Sequence, residues 1–153
     1  MVPIAVGADA PSFNVPDQNE KPVILSALRG KKVLLSWHPL AWTPVCTDQM
    51  RALENNLEQF ERLNTVPLGF SVDPAPCKQV WALAIRVEHV SLPSDFWPHG
   101  GVARTYGIFN ETDGVSERVN IIIDENGRVK WVKVYPPAQL PDISEVLQAL
   151  SGL

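Results

Sequence analysis

Residues 31–50 have the sequence KKVLLSWHPLAWTPVCTDQM, and the character of this stretch changes in its middle. The part from Val33 to Trp37 is apolar with little polar alternation, which is typical of a β-strand buried on both faces. After Pro44 the apolar residues recur at helical spacing; they are Met50, Leu53, Leu57, Phe60 and Leu63. The stretch therefore predicts a central strand that leads into an amphipathic helix.

Similar patterns continue on both sides of this stretch. Upstream, two short strands flank the turn PDQNE at 16–20, as in a hairpin. Downstream, apolar strand patterns alternate with helical ones; they are TVPLGFSV (65–72), PAPCKQVWALAI (74–85), VEHVSL (87–92), GGVARTYGI (100–108), RVNIII (118–123) joined through DENG (124–127) to VKWVKVY (129–135), and PDISEVLQAL (141–150).

These segments predict the order β-β-β-α-β-α-β-(α)-β-β-α. A strand–helix–strand first half followed by a β-hairpin and a final helix is the plan of thioredoxin-like folds, here with N-terminal strands added. We therefore expect a thioredoxin-like α/β fold: a three-layer sandwich around a mixed sheet. The length suits a single domain spanning residues 1–153.

Composition and charge exclude several classes of function. A chain with a net charge of −4 and no basic stripe is not expected to bind nucleic acid. No apolar run is long enough to cross a bilayer, and the N-terminal residues lack the basic and apolar segments of a secretory signal. Two cysteines are too few for a disulfide scaffold or a four-cysteine zinc site. We expect a cytoplasmic protein with free thiols between reactions.

Cys46 is the residue that carries the functional prediction. It falls at the carboxyl end of the predicted central strand, in the first turn of the helix that follows, where sites in α/β sheets concentrate. The backbone N–H groups and the dipole of a helix start favour an anion. A thiol placed there generally ionises more readily, and the thiolate is the nucleophilic form.

Pro39, Thr43 and Cys46 match P-x-x-x-T-x-x-C, the active-site signature of peroxiredoxins. The chain also resembles this family in GADAPSFNV, in VILSALRGKKVLLSWHP, in SVDP followed by Trp81, in GVARTYGI, and in SERVNIIIDENGRVKW, which contains Arg118. By this resemblance the chain is identified as a peroxiredoxin of the alkyl hydroperoxide reductase and thiol-specific antioxidant family, of the single-domain bacterial or archaeal type.

The resemblance implies a thiol-dependent peroxidase that reduces hydrogen peroxide and organic hydroperoxides. Cys46 would attack the terminal peroxide oxygen and become a sulfenic acid. Arg118 would stabilise the thiolate and the peroxide, Thr43 would place its hydroxyl on both, and Pro39 would shield the sulfur from water. The reductant would be thioredoxin-like or another thiol, and no cofactor is implied.

The sequence departs from the family pattern at three positions near Cys46. Gln49 stands where many members have Glu. It can still hydrogen-bond a guanidinium but adds no charge, so the support of the arginine is expected to be weaker or to come from Asp48. We interpret Gln49 mainly as a polar residue on the helix face. Trp42 stands where Phe is common, and His38 stands where Tyr is common, so both are expected to alter the pocket wall. Thr43 could also cap the helix that follows.

Cys77, at the start of the second predicted helix, resembles the resolving cysteine of some family members, which would form an intramolecular disulfide with Cys46. A packing cysteine is the alternative; the protein would then be a one-cysteine enzyme recycled by an external thiol. A non-enzymatic redox-sensing module also stays open, as does the choice between monomer and homodimer. A thioredoxin-like reductase would need a second cysteine at Gln49. His38 with both cysteines lacks a fourth ligand for a metal site.

Overall fold

The computed structural model describes residues 1–153, the full sequence. In chain order the elements are β1 (Asn14–Pro16), β2 (Pro22–Ile24), a 3₁₀ turn (Leu25–Leu28), β3 (Lys32–Trp37), α1 (Pro44–Asn55), α2 (Leu57–Arg62), β4 (Thr65–Phe70), α3 (Ala75–Ile85), α4 (Gly101–Thr105), β5 (Phe109–Asn110), β6 (Val115–Ser116), β7 (Arg118–Ile123), β8 (Val129–Tyr135) and α5 (Ile143–Ser151). None of the helices has the length and apolar character needed to cross a membrane.

Four strands form the central sheet, in the order β4-β3-β7-β8. β3 runs parallel to β4 and antiparallel to β7, and β7 runs antiparallel to β8. The sheet is therefore mixed, as predicted. β1 and β2 form the predicted N-terminal hairpin, whereas the two-residue strands β5 and β6 are an additional hairpin that the sequence pattern does not show.

Alternate residues of the central strands point to opposite faces of the sheet, and each face has its own apolar cluster. On one face Val33, Leu35 and Trp37 pack with Phe13 from the N-terminal segment and Tyr106 from the end of α4. The other face is covered by helices α1, α2, α3 and α5; their buried side chains include Met50, Phe60, Trp81 and Leu150. The sheet is thus the middle of three layers.

The helix predicted after Pro44 is interrupted. α1 ends at Asn55 and α2 begins at Leu57, because Asn56 has φ −117° and ψ 17°, outside helical geometry. The side-chain amide of Asn56 donates to the carbonyl oxygen of Ala52 at 2.7 Å. Such local bonds let asparagine compete with the helical hydrogen-bond ladder. The apolar spacing continues across the break, which is why the sequence pattern predicts one helix instead of two.

The prediction of a strand at 87–92 was wrong. This segment makes only an isolated bridge to Leu68 of β4. The side chain of Gln18 donates to the carbonyl oxygen of Val90 at 2.9 Å and accepts from the N–H of Leu92 at 2.7 Å. Because a distant side chain supplies these partners, the backbone polar groups are satisfied without a strand ladder.

Candidate active site

Cys46 is the third residue of α1 and follows β3 closely, at the edge of the sheet where β3 ends. Only 1% of the residue is exposed. Pro44 occupies the first helical position, where the missing N–H of proline costs no hydrogen bond. The N–H groups of a first helical turn have no partner within the helix and can therefore stabilise negative charge on the sulfur or on a ligand beside it.

Strand pairing brings Arg118 to Cys46. Arg118 is the first residue of β7, and the antiparallel pairing of β7 with β3 places Val119 opposite Trp37 at the end of β3. Nη1 of Arg118 lies 3.4 Å from Sγ of Cys46. Nε and Nη2 both donate to the carbonyl oxygen of Pro137, at 3.2 and 2.7 Å. The buried guanidinium is therefore held from the side opposite the sulfur.

Gln49 is a second partner of the guanidinium. Its Oε1 accepts from Nη1 of Arg118 at 2.7 Å. Its Nε2 donates to Oγ of Ser36 at 2.8 Å and to the carbonyl oxygen of Trp37 at 3.2 Å. Gln49 is buried, whereas Asp48 is exposed. Gln49, and not the exposed Asp48, therefore contacts the arginine, and its amide orients the guanidinium without adding a charge.

Thr43 and Pro39 lie in the segment that joins β3 to α1, residues 38–43, which we call the β3–α1 loop. The hydroxyl of Thr43 donates to the carbonyl oxygen of Leu40 at 2.8 Å and does not cap α1. Its proton is thus directed along the loop, which differs from the predicted bond to the sulfur. A hydroxyl that donates one bond can still accept another. Pro39 is half-buried and has no N–H of its own.

The two other departures from the family pattern occupy different environments. His38 is fully buried, and its ring centroid lies 5.3 Å from that of Trp81. Burial, together with the nearby cations Lys78 and Arg118, holds the pKa of His38 well below its ordinary value of 6.5. The ring is therefore neutral near neutral pH. Trp42, by contrast, is 53% exposed and lies on the outer side of the loop.

Cys77 is the third residue of α3 and is half-buried. It packs against the apolar cluster that contains Cys46. β4 precedes α3 as β3 precedes α1, and because β3 and β4 are parallel neighbours, both helices begin near the same edge of the sheet. Both cysteines are free thiols. The structure thus places two separate thiols near one edge of the sheet.

A buried polar chain near this edge was missed by sequence reasoning. Lys78 is fully buried, and its Nζ donates to Oγ of Ser71 at 2.8 Å. Oγ of Ser71 in turn donates to Oδ2 of Asp73 at 2.7 Å. Lys78 lies three residues before Trp81 and therefore on the buried face of α3. A lysine at that spacing within an apolar helix face is the signal that could have revealed it. No group of three or more His, Cys, Asp or Glu side chains is arranged to hold a metal ion.

Residues 6–132 match the AhpC/TSA family. Alkyl hydroperoxide reductase E of Mycobacterium tuberculosis is 38% identical over 149 residues, which cover 97% of this chain and 97% of the relative. A peroxiredoxin of Thermoplasma volcanium is 33% identical over 156 residues, covering 99% of this chain and 76% of the relative.

Solved structures resemble the chain over nearly its whole length. The reduced 2-Cys peroxiredoxin of Plasmodium vivax superposes with a TM-score of 0.89 at 31% identity, covering 97% of this chain and 81% of that one. AhpC of Mycobacterium tuberculosis gives a TM-score of 0.87 at 20% identity, covering 99% of this chain and 98% of that one. This level of identity supports a shared fold only. The thioredoxin-like sandwich predicted from the sequence is confirmed.

Proposed function

This chain belongs to the AhpC/TSA family and is a peroxiredoxin, a thiol-dependent peroxidase of the bacterial and archaeal type, and we propose that Cys46 is the sulfur that reacts with peroxide. One observation carries the proposal. A buried, fixed guanidinium lies 3.4 Å from the Sγ of Cys46, at a helix start. Arg118 stays charged at all relevant pH values, so it provides a constant positive charge for a thiolate.

The reaction follows from these contacts. The Cys46 thiolate attacks the terminal oxygen of the peroxide, the O–O bond breaks, and the departing oxygen takes up a proton to leave as water or an alcohol. The sulfur is oxidised to a sulfenic acid as the peroxide is reduced. Arg118 and the N–H groups at the start of α1 stabilise the charge that moves from sulfur to oxygen.

Thr43 and Pro39 complete the proposed site. Because the Thr43 hydroxyl donates to Leu40, its oxygen is free to accept a hydrogen bond from the O–H of the incoming hydroperoxide, which aims the terminal oxygen at the sulfur. Pro39 excludes water from the sulfur without presenting a competing N–H donor. A fixed orientation of this kind lowers the entropic part of the barrier.

Cys77 is proposed as the resolving thiol. Its sulfur would attack the sulfenic acid of Cys46, forming the S–S bond and releasing water. A disulfide requires Cα atoms within about 7 Å. If the folded chain holds them farther apart, the first turns of α1 and α3 would open before the bond forms. Each of these turns contains proline and has few backbone hydrogen bonds to break. The disulfide would then be reduced by a thioredoxin-like or other external dithiol.

The proposal extends to substrate, assembly and location. Relatives at 38% identity are named alkyl hydroperoxide reductase E, which supports organic hydroperoxides beside hydrogen peroxide as substrates. We propose a single domain acting in the cytoplasm, where thiol reductants keep both cysteines reduced between cycles. A homodimer is also proposed, because the exposed apolar side chains of Leu40, Trp42, Phe96 and Trp97 are available for burial between two copies.

The test compares the two cysteine variants. Peroxide consumption is measured by stopped flow with a supplied dithiol. Cys46→Ser is expected to lose the reaction entirely, because an alcohol provides no thiolate near neutral pH. Cys77→Ser is the matched control, since it also removes one thiol from a helix start. It is expected to keep a fast first oxidation of Cys46. Turnover by Cys46→Ser above the enzyme-free rate would contradict the assignment.

Disulfide mapping then separates the two recycling schemes. Wild-type protein is treated with limiting peroxide, its free thiols are alkylated, and the digest is analysed by mass spectrometry. A peptide pair joined through Cys46 and Cys77, absent from Cys77→Ser, is the expected result. Cys46 sulfenic acid accompanied by fully alkylated Cys77 would contradict the resolving role and leave a one-cysteine enzyme.

A further inference from the structure

Lys78 is a buried cation whose bonds fit an ammonium group. Its Nζ donates to the carbonyl oxygen of Gly69 at 3.0 Å, to Oγ of Ser71 at 2.8 Å and to the carbonyl oxygen of Pro93 at 2.9 Å. An ammonium group has three donors and no acceptor. The three oxygens therefore match the charged form of Lys78, with no donor and no acceptor left over.

The ammonium group determines the direction of the hydrogen bonds beyond it. Because Oγ of Ser71 accepts from Lys78, its own proton is free to go to Oδ2 of Asp73, 2.7 Å away. The same carboxylate oxygen accepts from the backbone N–H of Ala41 at 2.9 Å. Ala41 lies in the β3–α1 loop, between Pro39 and Thr43. A continuous polar chain therefore joins the buried lysine of α3 to the loop beside the reactive cysteine.

We propose that Lys78 is a positioning residue for the peroxide step, acting through Ser71 and Asp73 to hold the β3–α1 loop over Cys46. The inference rests on the proposed role of Cys46 as the sulfur that reacts with peroxide. Lys78 touches neither the sulfur nor the substrate in this scheme. It fixes the backbone at Ala41, and through that backbone it fixes the proline and the threonine on either side.

Loss of the proton from Lys78 would reverse one bond in this chain. A neutral amine has two donors and one lone pair, so one of the three surrounding oxygens would face the lone pair. Ser71 has the only group that can relieve this clash, because its hydroxyl can turn and donate to the amine. Asp73 then loses its bond from Ser71 and holds Ala41 less firmly.

The surroundings of Lys78 lower the pKa of its ammonium group into the neutral range. Burial lowers the pKa of Lys78 from its ordinary 10.5 to about 7, although Asp73, Cys77, Asp95 and Cys46 oppose the shift by their negative charge. These groups approach Lys78 from the end of β4, from its own helix, from the segment before α4, and from α1. A thiolate at Cys46 therefore favours the charged lysine and hence the ordered loop.

The cations and the histidine around this site do not titrate in the same range. Arg118 keeps its charge. His38 has its pKa held well below 6.5, chiefly by burial and further by Lys78 and Arg118, so it is already neutral. Cys77 also faces Lys78 and carries a thiol, so Cys77→Ser is measured in parallel, and an alkaline loss of rate that persists in this variant is assigned to Lys78.

The experiment uses Lys78→Met and Ser71→Ala in the full chain, with Lys32→Met as the matched control. Lys32 is also a buried lysine, and its Nζ bonds to the carbonyl oxygen of Leu63 at 2.9 Å, but it stands at the opposite end of β3 from the loop. The second-order rate constant for oxidation by hydrogen peroxide is measured from mildly acidic to mildly alkaline pH. Thermal unfolding of each variant is measured in parallel.

Wild type and Lys32→Met are expected to lose rate as Lys78 gives up its proton. Lys78→Met and Ser71→Ala are expected to lack this alkaline fall and to react about tenfold more slowly than the wild-type maximum, because the loop is loose at every pH. A purely electrostatic effect of Lys78 on the thiolate would leave the pH profile of Ser71→Ala like that of wild type, and that result would overturn the proposal.

Two further outcomes are decisive. If Lys78→Met does not fold, Ser71→Ala alone decides, since it removes one hydroxyl and no charge. If Lys78→Met folds and keeps both the wild-type rate and its pH profile, the positioning role is wrong. Failure of the proposed function would look different, because wild type itself would then show no reaction that depends on Cys46.

Discussion

The starts of α1 and α3 are alike in sequence and in place, yet they surround their cysteines differently. Each helix has a proline in its first two positions and a cysteine as its third residue. Each follows one of two parallel neighbouring strands. Cys46 is buried against the guanidinium of Arg118, whereas Cys77 is half-buried. The cation beside Cys77 in sequence, Lys78, donates instead to three oxygens.

This difference shows that a helix start is not sufficient to make a reactive thiol. Both sulfurs share whatever the helix dipole contributes, which is screened and confined to the first turn. Only Cys46 has a cation directed at it, from the first residue of β7, and both groups are buried. A charge-assisted contact is worth more there than at an exposed position. Variants that alter this contact test the contrast, and loss of the guanidinium is expected to have the largest effect.

Removal of the guanidinium should leave the sulfur of Cys46, like that of Cys77, with no cation directed at it. Arg118→Ala is expected to slow the oxidation of Cys46 by about 100-fold or more, since one fixed donor to a charged transition state commonly contributes that much. Arg118→Lys should recover only part of the rate, because a single ammonium cannot reach both Pro137 and the sulfur as the planar group does. Stopped-flow oxidation by hydrogen peroxide measures both variants.

Arg128→Ala is the control for the arginine variants. Arg128 is exposed and donates to the carbonyl oxygen of Gly7 at 3.2 Å, far from the sulfur in the fold. Its loss should leave the rate unchanged. An Arg118→Lys variant with the full wild-type rate would show that only positive charge is needed, and the contrast between the two helix starts would then not depend on geometry.

Gln49 gives a finer test of the same contrast. Gln49→Ala removes the acceptor that holds Nη1 of Arg118 and also leaves Ser36 without this partner. The expected result is a fall of about tenfold in the oxidation rate, because the guanidinium keeps its charge and its bonds to Pro137 but loses part of its orientation. Gln59→Ala, an exposed glutamine of α2, is the control. Equal rates in the two variants would contradict an orienting role.

The central strands and the position of Cys46 could be predicted because they depend on local pattern. Apolar runs identify the central strands, and the change of period after Pro44 identifies the start of α1. The break at Asn56 could not be predicted in this way, because it leaves the apolar spacing intact. The absent strand at 87–92 depends on Gln18, which is remote in the chain. Pattern analysis of a segment cannot include such a partner.

In the active site, too, features set by local sequence could be predicted and features set by remote partners could not. Pro39, Thr43 and Cys46 are close in sequence, so their spacing indicates a motif. That Gln49 contacts Arg118 depends on a register between β3 and β7 that no local pattern contains. Lys78 was missed because a lysine on a helix is usually exposed, although its position three residues before Trp81 places it on the apolar face of α3.

The smallest expected effect concerns a link far from both sulfurs, between α1 and the segment that follows α3. Oε1 of Glu54 accepts from the N–H groups of His89 and Val90, both at 3.0 Å, and Oε2 contacts Nδ1 of His89 at 2.7 Å. Burial acts to raise the pKa of Glu54, but these hydrogen bonds outweigh it and hold the pKa below 4.5. The same carboxylate raises the pKa of His89 above 6.5.

The sign of the pH dependence follows from these two shifts. The contribution of His89 is complete below its ordinary pKa of 6.5 and is lost as the pH rises through its raised value. The contribution of Glu54 is complete above 4.5 and is lost as the pH falls through its lowered value. Glu54→Gln should therefore lower the Tm most between pH 4.5 and 6.5, and less at alkaline pH, while the rate of peroxide reduction stays unchanged.

Thermal unfolding across this range measures the difference, with Glu58→Gln, in an exposed pair with Arg62, as the control. A Tm difference for Glu54→Gln that does not vary with pH would show that only its bonds to the backbone matter. A loss of peroxidase rate would show that this end of α1 is coupled to its start.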